Sequence, residues 1–324
     1  MDCPSRLDWY DTPELNQLPL AVRLWVWWCA VGPKRGSGGT LGGNRLFSLL
    51  HRYLRVIPAN RDNLHPVKMS RWDRDLVVDL CDFESYQHTL PLASRGNDEM
   101  ALQDSVLGPE SVFIDVGANQ GLFSVHAATL IGRGGRILSI EPNARLASAL
   151  RRTKLLNDFD QMEVVESAVG DTSGVQDFFI PGLASGVGSI FASHAAQASV
   201  SKRTRVTIDT LDNLVKAAGL SSVDLIKIDV EGAELLVFQG AAETIRNHRP
   251  LLWFEINPQA LRTAGLSPAD LLEAIKTLGY SSVYELGSVV RGERRPIDDF
   301  TKLNNAVAMH EDRLIDFGAN KRRT

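Results

Sequence analysis

From Leu107 onward, short β-branched apolar runs alternate with longer stretches whose apolar positions recur at helical spacing. This is the pattern of β-α-β units feeding a parallel sheet. It predicts strands at 111–116 (SVFIDV), 135–140 (GRILSI), 162–166, 224–230 (DLIKIDV) and 251–256 (LLWFEI). Helices are expected over 123–131, 144–156, 233–247 and 268–278, the last opening behind Ser267, a residue type that caps helix N-termini. The regularity lapses between the third and fourth strands, where a small-residue loop at 182–188 (GLASGVG) precedes a strand at 205–208 and a helix at 211–218. The last apolar runs, 282–286 and 305–309, lack a helical stretch between them and should pair as an antiparallel hairpin at one sheet edge.

Upstream the pattern is weaker, with one clear strand at 76–80 (LVVDL). Residues 18–32 (LPLAVRLWVWWCAVG) are strongly apolar. As a helix they would rise about 22 Å, short of a hydrocarbon core of about 30 Å, and Arg23 interrupts them. A secretory leader is not indicated, because Asp2, Asp8, Asp11 and Glu14 occupy the place of a basic n-region. Two readings stay open: a helix packed on the protein or on a second copy in a homo-oligomer, and an interfacial membrane helix anchored by Trp25, Trp27 and Trp28. The glycine-rich stretch 32–43 reads as a flexible link between that helix and the rest. The expected organisation is a Trp-rich helix and linker (1–43), an accessory lead-in (44–106), a main α/β domain (107–311) and a basic C-terminal tail (312–324).

Composition narrows the function. Hydrophobic and charged contents of 44% and 23% are ordinary globular values, and a net charge of 35 − 39 = −4 with scattered Lys and Arg gives no nucleic-acid footprint. Cys3, Cys29 and Cys81 are an odd number without C-x-x-C spacing, so neither a disulfide framework nor a zinc cluster is indicated and a cytoplasmic setting, with peripheral membrane contact left open, fits best.

The predicted first strand runs into Asp115-Val116-Gly117-Ala118-Asn119-Gln120-Gly121. A dinucleotide site wants G-x-G-x-x-G, but here Asn119 takes the second glycine's place and Leu122 the third's, a pattern better suited to a nucleoside without pyrophosphate. Glu141 closes the second strand, where a carboxylate can accept from both hydroxyls of a ribose. Either feature alone could be structural, the turn as a helix entry and Glu141 as a charge favoured by a helix dipole; their order and strand context favour a nucleoside site. In the fourth strand Lys227 and Asp229 lie on one face. They form either a buried ion pair or, with Asp229 at the strand's carboxyl end, part of a reacting centre. Glu231 follows in the turn, and Glu234 is expected to serve the dipole of the next helix. His126 falls on a core-facing helical position, and His194 follows the Gly-Ser loop.

DVGANQGLFSVHAA (115–128), SIEPN (139–143), AVGD (168–171), TIDTLD (207–212), DLIKIDVEGAE (224–234) and PLLWFEIN (250–257) resemble the successive blocks of the FkbM family of S-adenosylmethionine-dependent methyltransferases. The resemblance runs from about Leu76 to Glu311 and includes VVDLCDFESYQHTL (77–90), similar to the lead-in before the cofactor motif. It implies a Rossmann-like seven-stranded sheet, six strands parallel and one antiparallel in an edge hairpin, carrying an N-terminal extension. It also implies methyl transfer to a hydroxyl of a sugar, polyketide or other small metabolite. Carried over by motif, Asp115, Gly117, Asn119 and Gly121 would hold the methionine end, Glu141 the ribose, and the segment 167–171 with Ala168 the adenine. Asp229, Glu231 and Lys227 are the candidate catalytic residues, with Glu255 a further candidate base. An alternative arrangement, resembling metal-dependent O-methyltransferases, would use Asp229, Glu255 and Asn257 as oxygen ligands of magnesium. The rival functions are a nicotinamide oxidoreductase, disfavoured by the missing second glycine, and a non-catalytic cofactor-binding or scaffolding protein.

Overall fold

A computed structural model describes residues 13–20, 22–24, 64–80, 82, 85–181, 188–191, 200–297, 302 and 304–313. Its main sheet contains β3 (Val112–Val116), β4 (Arg136–Ile140), β5 (Met162–Val165), β9 (Leu225–Ile228), β10 (Leu251–Ile256), β11 (Val283–Glu285) and β12 (Asn304–Ala308). The spatial order is β11-β12-β10-β9-β3-β4-β5. β5, β4, β3, β9 and β10 run parallel, whereas β12 is antiparallel to both β10 and β11. The terminal hairpin therefore forms at the sheet edge as expected, with its antiparallel strand inserted between β10 and the outermost strand. A short helix (Leu286–Arg291) that the sequence pattern did not suggest connects the two strands. The chain order reverses between β3 and β9, so the carboxyl ends of β3, β4 and β9 open onto a topological switch point, where open α/β sheets bind ligands.

Each strand sends alternate side chains to opposite faces. Phe113, Leu225, Leu251, Trp253 and Val307 join one buried cluster with residues of the upstream region and the helix Leu122–Leu130. Ile114, Ile226, Ile228, Leu252 and Phe254 join another with the helices Leu211–Ala217, Glu234–Gly240, Ala242–His248 and Pro268–Thr277. Ser267 caps that last helix in a reciprocal capping box with Asp270. The single helix expected over 233–247 is broken at Ala241. Its turn at Gly240 lies so close to the Gly170 carbonyl that a Cβ there would collide with it.

The upstream region is a β-hairpin, β1 (Leu64–Met69) and β2 (Arg74–Asp79), followed by a π-helical turn (Ser85–Thr89) and the helices α1 (Leu90–Arg95) and α2 (Asp98–Val106). Only β2 was legible in the sequence. Residues ahead of the glycine-rich stretch also pack here: Leu18 and Val22 are buried in the first cluster, and Glu14 Oε1 accepts from Ser70 N (2.8 Å) and Ser70 Oγ (2.5 Å). Leu20 and Leu24, at 66% and 55% exposure, point outward. Trp25, Trp27, Trp28, the 32–43 stretch, the 182–187 part of the small-residue loop, His194 and the 314–324 tail lie outside the described residues. Among the described residues no helix is long and apolar enough to cross a membrane.

Between β5 and β9 the chain builds a small second sheet, β6 (Ala168–Val169), β8 (Val200–Asp209) and β7 (Gly174–Pro181). β8 extends the strand expected at 205–208, and β7 was unforeseen. Ala168, Phe178 and Val206 form its buried core.

Candidate functional site

A cavity of about 360 Å³ opens over the carboxyl ends of β3, β4 and β9. Its floor begins with a register effect. Asp115 of β3 pairs directly with Lys227 of β9, and Lys227 with Trp253 of β10, so three same-face residues lie in one row across the sheet. The two charges are therefore neighbours by construction. Lys227 Nζ lies 3.2 Å from Asp115 Oδ1 and 3.4 Å from Asp229 Oδ2, and it donates to Gly117 O at 3.1 Å. An ammonium has three donors, and these contacts occupy them. The rings of Phe123 and Trp253 cover it at 5.6 and 5.8 Å. Burial alone would lower the Lys227 pKa, but Asp115 and Asp229 together outweigh it and hold the group above its ordinary value.

The sequence-predicted residues divide accordingly. Asp115 is buried beneath the cavity, with Oδ2 accepting from Ser124 Oγ at 2.6 Å, so it anchors the floor and does not line the cavity. Gly121 does not line it either: its backbone is left-handed (φ 85°), it begins the helix Leu122–Leu130, and a Cβ there would run into Leu150. Gly117 and Asn119 do line the cavity. At Gly117 (φ 77°) a Cβ would strike the carbonyl oxygen of Asp229, so glycine is demanded by the close approach of the β3 and β9 ends. Asn119 (φ 52°) and Glu231 (φ 53°) are non-glycine residues held left-handed at the ends of these adjacent strands, the kind of local strain that clusters at functional sites.

Glu141 is buried at the cavity floor, with Oε2 accepting from Asn119 N and Oε1 from Asn143 N, each at 2.8 Å. Burial raises its pKa to about 7 against the lowering effect of those two backbone bonds. Ser167, Ala168 and Val169 line the cavity beside it, whereas Asp171 is exposed. On the other side, the Asp229 side chain is 42% exposed and shares the wall with Glu231 and Glu255. Glu255 is pushed up to about 9, first by burial and then by Asp229, Glu231 and Glu234. Glu234 sits fully buried with Oε1 accepting from Gly232 N at 3.1 Å, and burial raises it to about 7; it closes the turn after β9 more than it serves a helix dipole. Asn257 Oδ1 accepts from Ala260 N at 3.1 Å as a helix cap. That leaves the carbonyl oxygen engaged where the magnesium arrangement wanted a ligand. Among the described residues no group of three or more His, Cys, Asp or Glu is placed to hold a metal ion.

The remaining walls escaped sequence reasoning. His88, Thr89 and Leu92 arrive from the π-helical turn and α1, and Phe178 and Ile190 from the small sheet and its loop. His126, by contrast, is an interior residue, its Nδ1 accepting from Trp72 Nε1 and its Nε2 facing Asp104 Oδ1, both at 3.0 Å.

Residues 115–282 match the Methyltransferase FkbM domain. The chain is 29% identical over 179 residues to the 2-O-methyltransferase NoeI of Sinorhizobium fredii, covering 52% of this chain and 72% of that protein. It is also 29% identical over 177 residues to the AMB antimetabolite synthetase AmbE of Pseudomonas aeruginosa, covering 44% of this chain and 8% of that much longer protein. The crystal structure of a methyltransferase FkbM from Methylobacillus flagellatus is similar at 17% identity and a TM-score of 0.35, covering 71% of this chain and 56% of that one.

Proposed function

The chain belongs to the FkbM methyltransferase family, and from that premise we infer that its cavity holds S-adenosylmethionine against Glu141 and catalyses methylation of a hydroxyl on a sugar, polyketide or other small metabolite. The residues present fit this cofactor. Glu141 keeps lone pairs for two ribose hydroxyls after taking its two backbone N–H bonds. Ala168 and its neighbours offer a small-residue wall to the adenine. Asn119 Oδ1 is a buried acceptor without a hydrogen-bond partner among the described residues, suited to an ammonium. The observation that carries the reading is the juxtaposition of Glu141 and Asp229 on opposite sides of the Gly117 turn in one cavity.

Bound there, S-adenosylmethionine supplies an electrophilic methyl group on a sulfonium. The protein's part is mainly alignment, since displacement needs the acceptor oxygen about 3 Å from the carbon and in line. Asp229 is the group placed to take the acceptor's proton. Lys227 holds it from below, and its partial exposure gives the proton a route to water. Glu255, which carries its own proton at neutral pH, donates a hydrogen bond to the acceptor. Glu231 shapes the same wall. Lys227 is a positioning residue, its donors already committed. Because Asn257 is occupied as a cap, we favour a site that works without magnesium, so chelation should leave turnover unchanged.

The test is incubation of the full chain with methyl-labelled cofactor and a cell extract, followed by product mass analysis. A product heavier by one methyl, with the label on oxygen, is expected. Cofactor binding with no methylated product would favour the non-catalytic alternative.

A further inference from the structure

The turn after β3 carries one cavity-lining residue, Gln120, whose side-chain amide is bonded to the upstream region. Gln120 is buried, and its amide reaches back to the upstream hairpin. Its Oε1 accepts from Asp79 N at 3.3 Å, and its Nε2 donates to Asp82 Oδ2 at 3.4 Å. Ser85 Oγ lies 2.9 Å from the same Oε1 and 2.7 Å from Asp79 O, its single proton shared between the two acceptors. Asp79 is gripped from a second direction by Arg145, whose Nη2 donates to Oδ1 at 2.8 Å while Nε meets Oδ2. Arg145 belongs to the first turn of the helix that follows Glu141 and Asn143. Both turns that form the cofactor side of the cavity are thus tied to the point from which the π-helical turn Ser85–Thr89 springs, and that turn delivers His88 and Thr89 to the lining of the same cavity. π-Helical turns are rare and concentrate at functional sites.

We propose that Gln120 and Ser85 are positioning residues that couple the cofactor turn to the acceptor wall, so that a bound nucleoside cofactor sets the π-helical turn in place to receive the methyl acceptor. This rests on the assignment of the cavity to cofactor and acceptor. Ligand contact at Gly117 and Asn119 fixes the backbone beside Gln120; the Gln120 amide then fixes Asp79 and Ser85, and with them His88 to Leu92. By linkage the effect is reciprocal, and an ordered acceptor wall tightens the cofactor in turn.

Hydrogen exchange read by mass spectrometry tests the link on the full chain, with and without saturating S-adenosylmethionine, whose affinity is measured separately by calorimetry. In the unsubstituted chain the amides of 85–92 should exchange about tenfold more slowly when the cofactor is bound. Ser85→Ala, outside the cavity lining, should bind the cofactor with affinity close to that of the parent yet lose most of that slowing. Gln120→Met, which keeps side-chain length without hydrogen bonds, should also lose that slowing when compared at a cofactor concentration that saturates it, and provides the same readout should Ser85→Ala fold poorly. Cofactor binding without slowing in the unsubstituted chain, or slowing retained in both folded variants, would overturn the coupling. Absence of cofactor binding by the unsubstituted chain would instead overturn the cofactor assignment on which the coupling rests.

Discussion

The cavity has a floor and a wall built on different principles. The floor comes from the ends of β3, β4 and β9, where sheet register makes Asp115 and Lys227 neighbours and backbone N–H groups hold Glu141. The wall comes from chain segments far apart in sequence, Thr89 and Leu92 on one side and Phe178 and Ile190 on the other, brought in by a π-helical turn and an inserted sheet. A floor fixed by main-chain geometry tolerates little change and suits the part of the reaction that stays constant, the cofactor. A wall made of side chains on excursions from the sheet can vary without disturbing the floor, and it suits the acceptor.

The most damaging way to break the floor is Gly117→Ala. A methyl group there would have to displace the Asp229 carbonyl while holding a left-handed backbone, at a cost of about 3 kcal/mol or more. Thermal unfolding should show a large loss of stability together with loss of cofactor binding. An unchanged melting temperature would mean that the β3 and β9 ends are not in contact. Asp229→Asn sits where floor and wall meet. Lys227 keeps Asp115 and the Gly117 carbonyl, so stability should fall little, whereas turnover should fall about 100-fold. A stable variant with full turnover would remove Asp229 from the chemistry. A wall change such as Ile190→Ala should have the smallest effect, raising the acceptor KM about tenfold with cofactor affinity little altered; a matching loss of cofactor affinity would erase the distinction between the two regions.

The free site should also reveal its buried carboxyls in the pH dependence of stability. Glu141 and Glu234, raised to about 7, and Glu255, raised to about 9, bind protons more tightly folded than unfolded, where their ordinary value is 4.5. The stability they contribute is full below that value and falls as pH rises above it, the loss being complete near 7 for Glu141 and Glu234 and near 9 for Glu255. The melting temperature of the cofactor-free chain should therefore fall as pH rises from about 5 to about 9, most steeply below 7, and Glu255→Gln should flatten the part of that decline above 7. A melting temperature that rises over this range would contradict the burial assigned to them.

The same division explains how much was legible. The parallel strands and the cofactor turn are local patterns: β-branched runs, a glycine turn and an acidic residue closing the next strand, each readable within about ten residues. Asp115 and Gly121 were read as ligand contacts because sequence shows that a residue lies in the turn, but not which way it faces. Only register revealed that Asp115 lies under the floor, bonded to Lys227 and Ser124. The wall had no local signature. His65 and Pro66 obscure the alternation in β1, β7 mixes Gln176 and Asp177 with Phe178 and Phe179, and π-helical bonding at Ser85–Thr89 leaves no periodic trace. The break at Ala241 was likewise invisible; it lies beside Gly240, which closely approaches Gly170, 70 residues earlier.

The central claim, that Glu141 binds the ribose of S-adenosylmethionine, is tested most directly by calorimetric titration of the cofactor into the full chain at pH values from about 5.5 to 8.5. Ribose hydroxyls donate to the ionised carboxyl, so binding must draw Glu141 from its raised pKa of about 7 into the charged form. Affinity should rise with pH by up to about tenfold per unit below 7 and level off above it, with proton release on binding near neutrality. In Glu141→Gln this dependence should vanish and affinity at pH 8 should be about 10- to 100-fold weaker. Equal affinity for the two proteins, with no change across that pH range in either, would contradict the account.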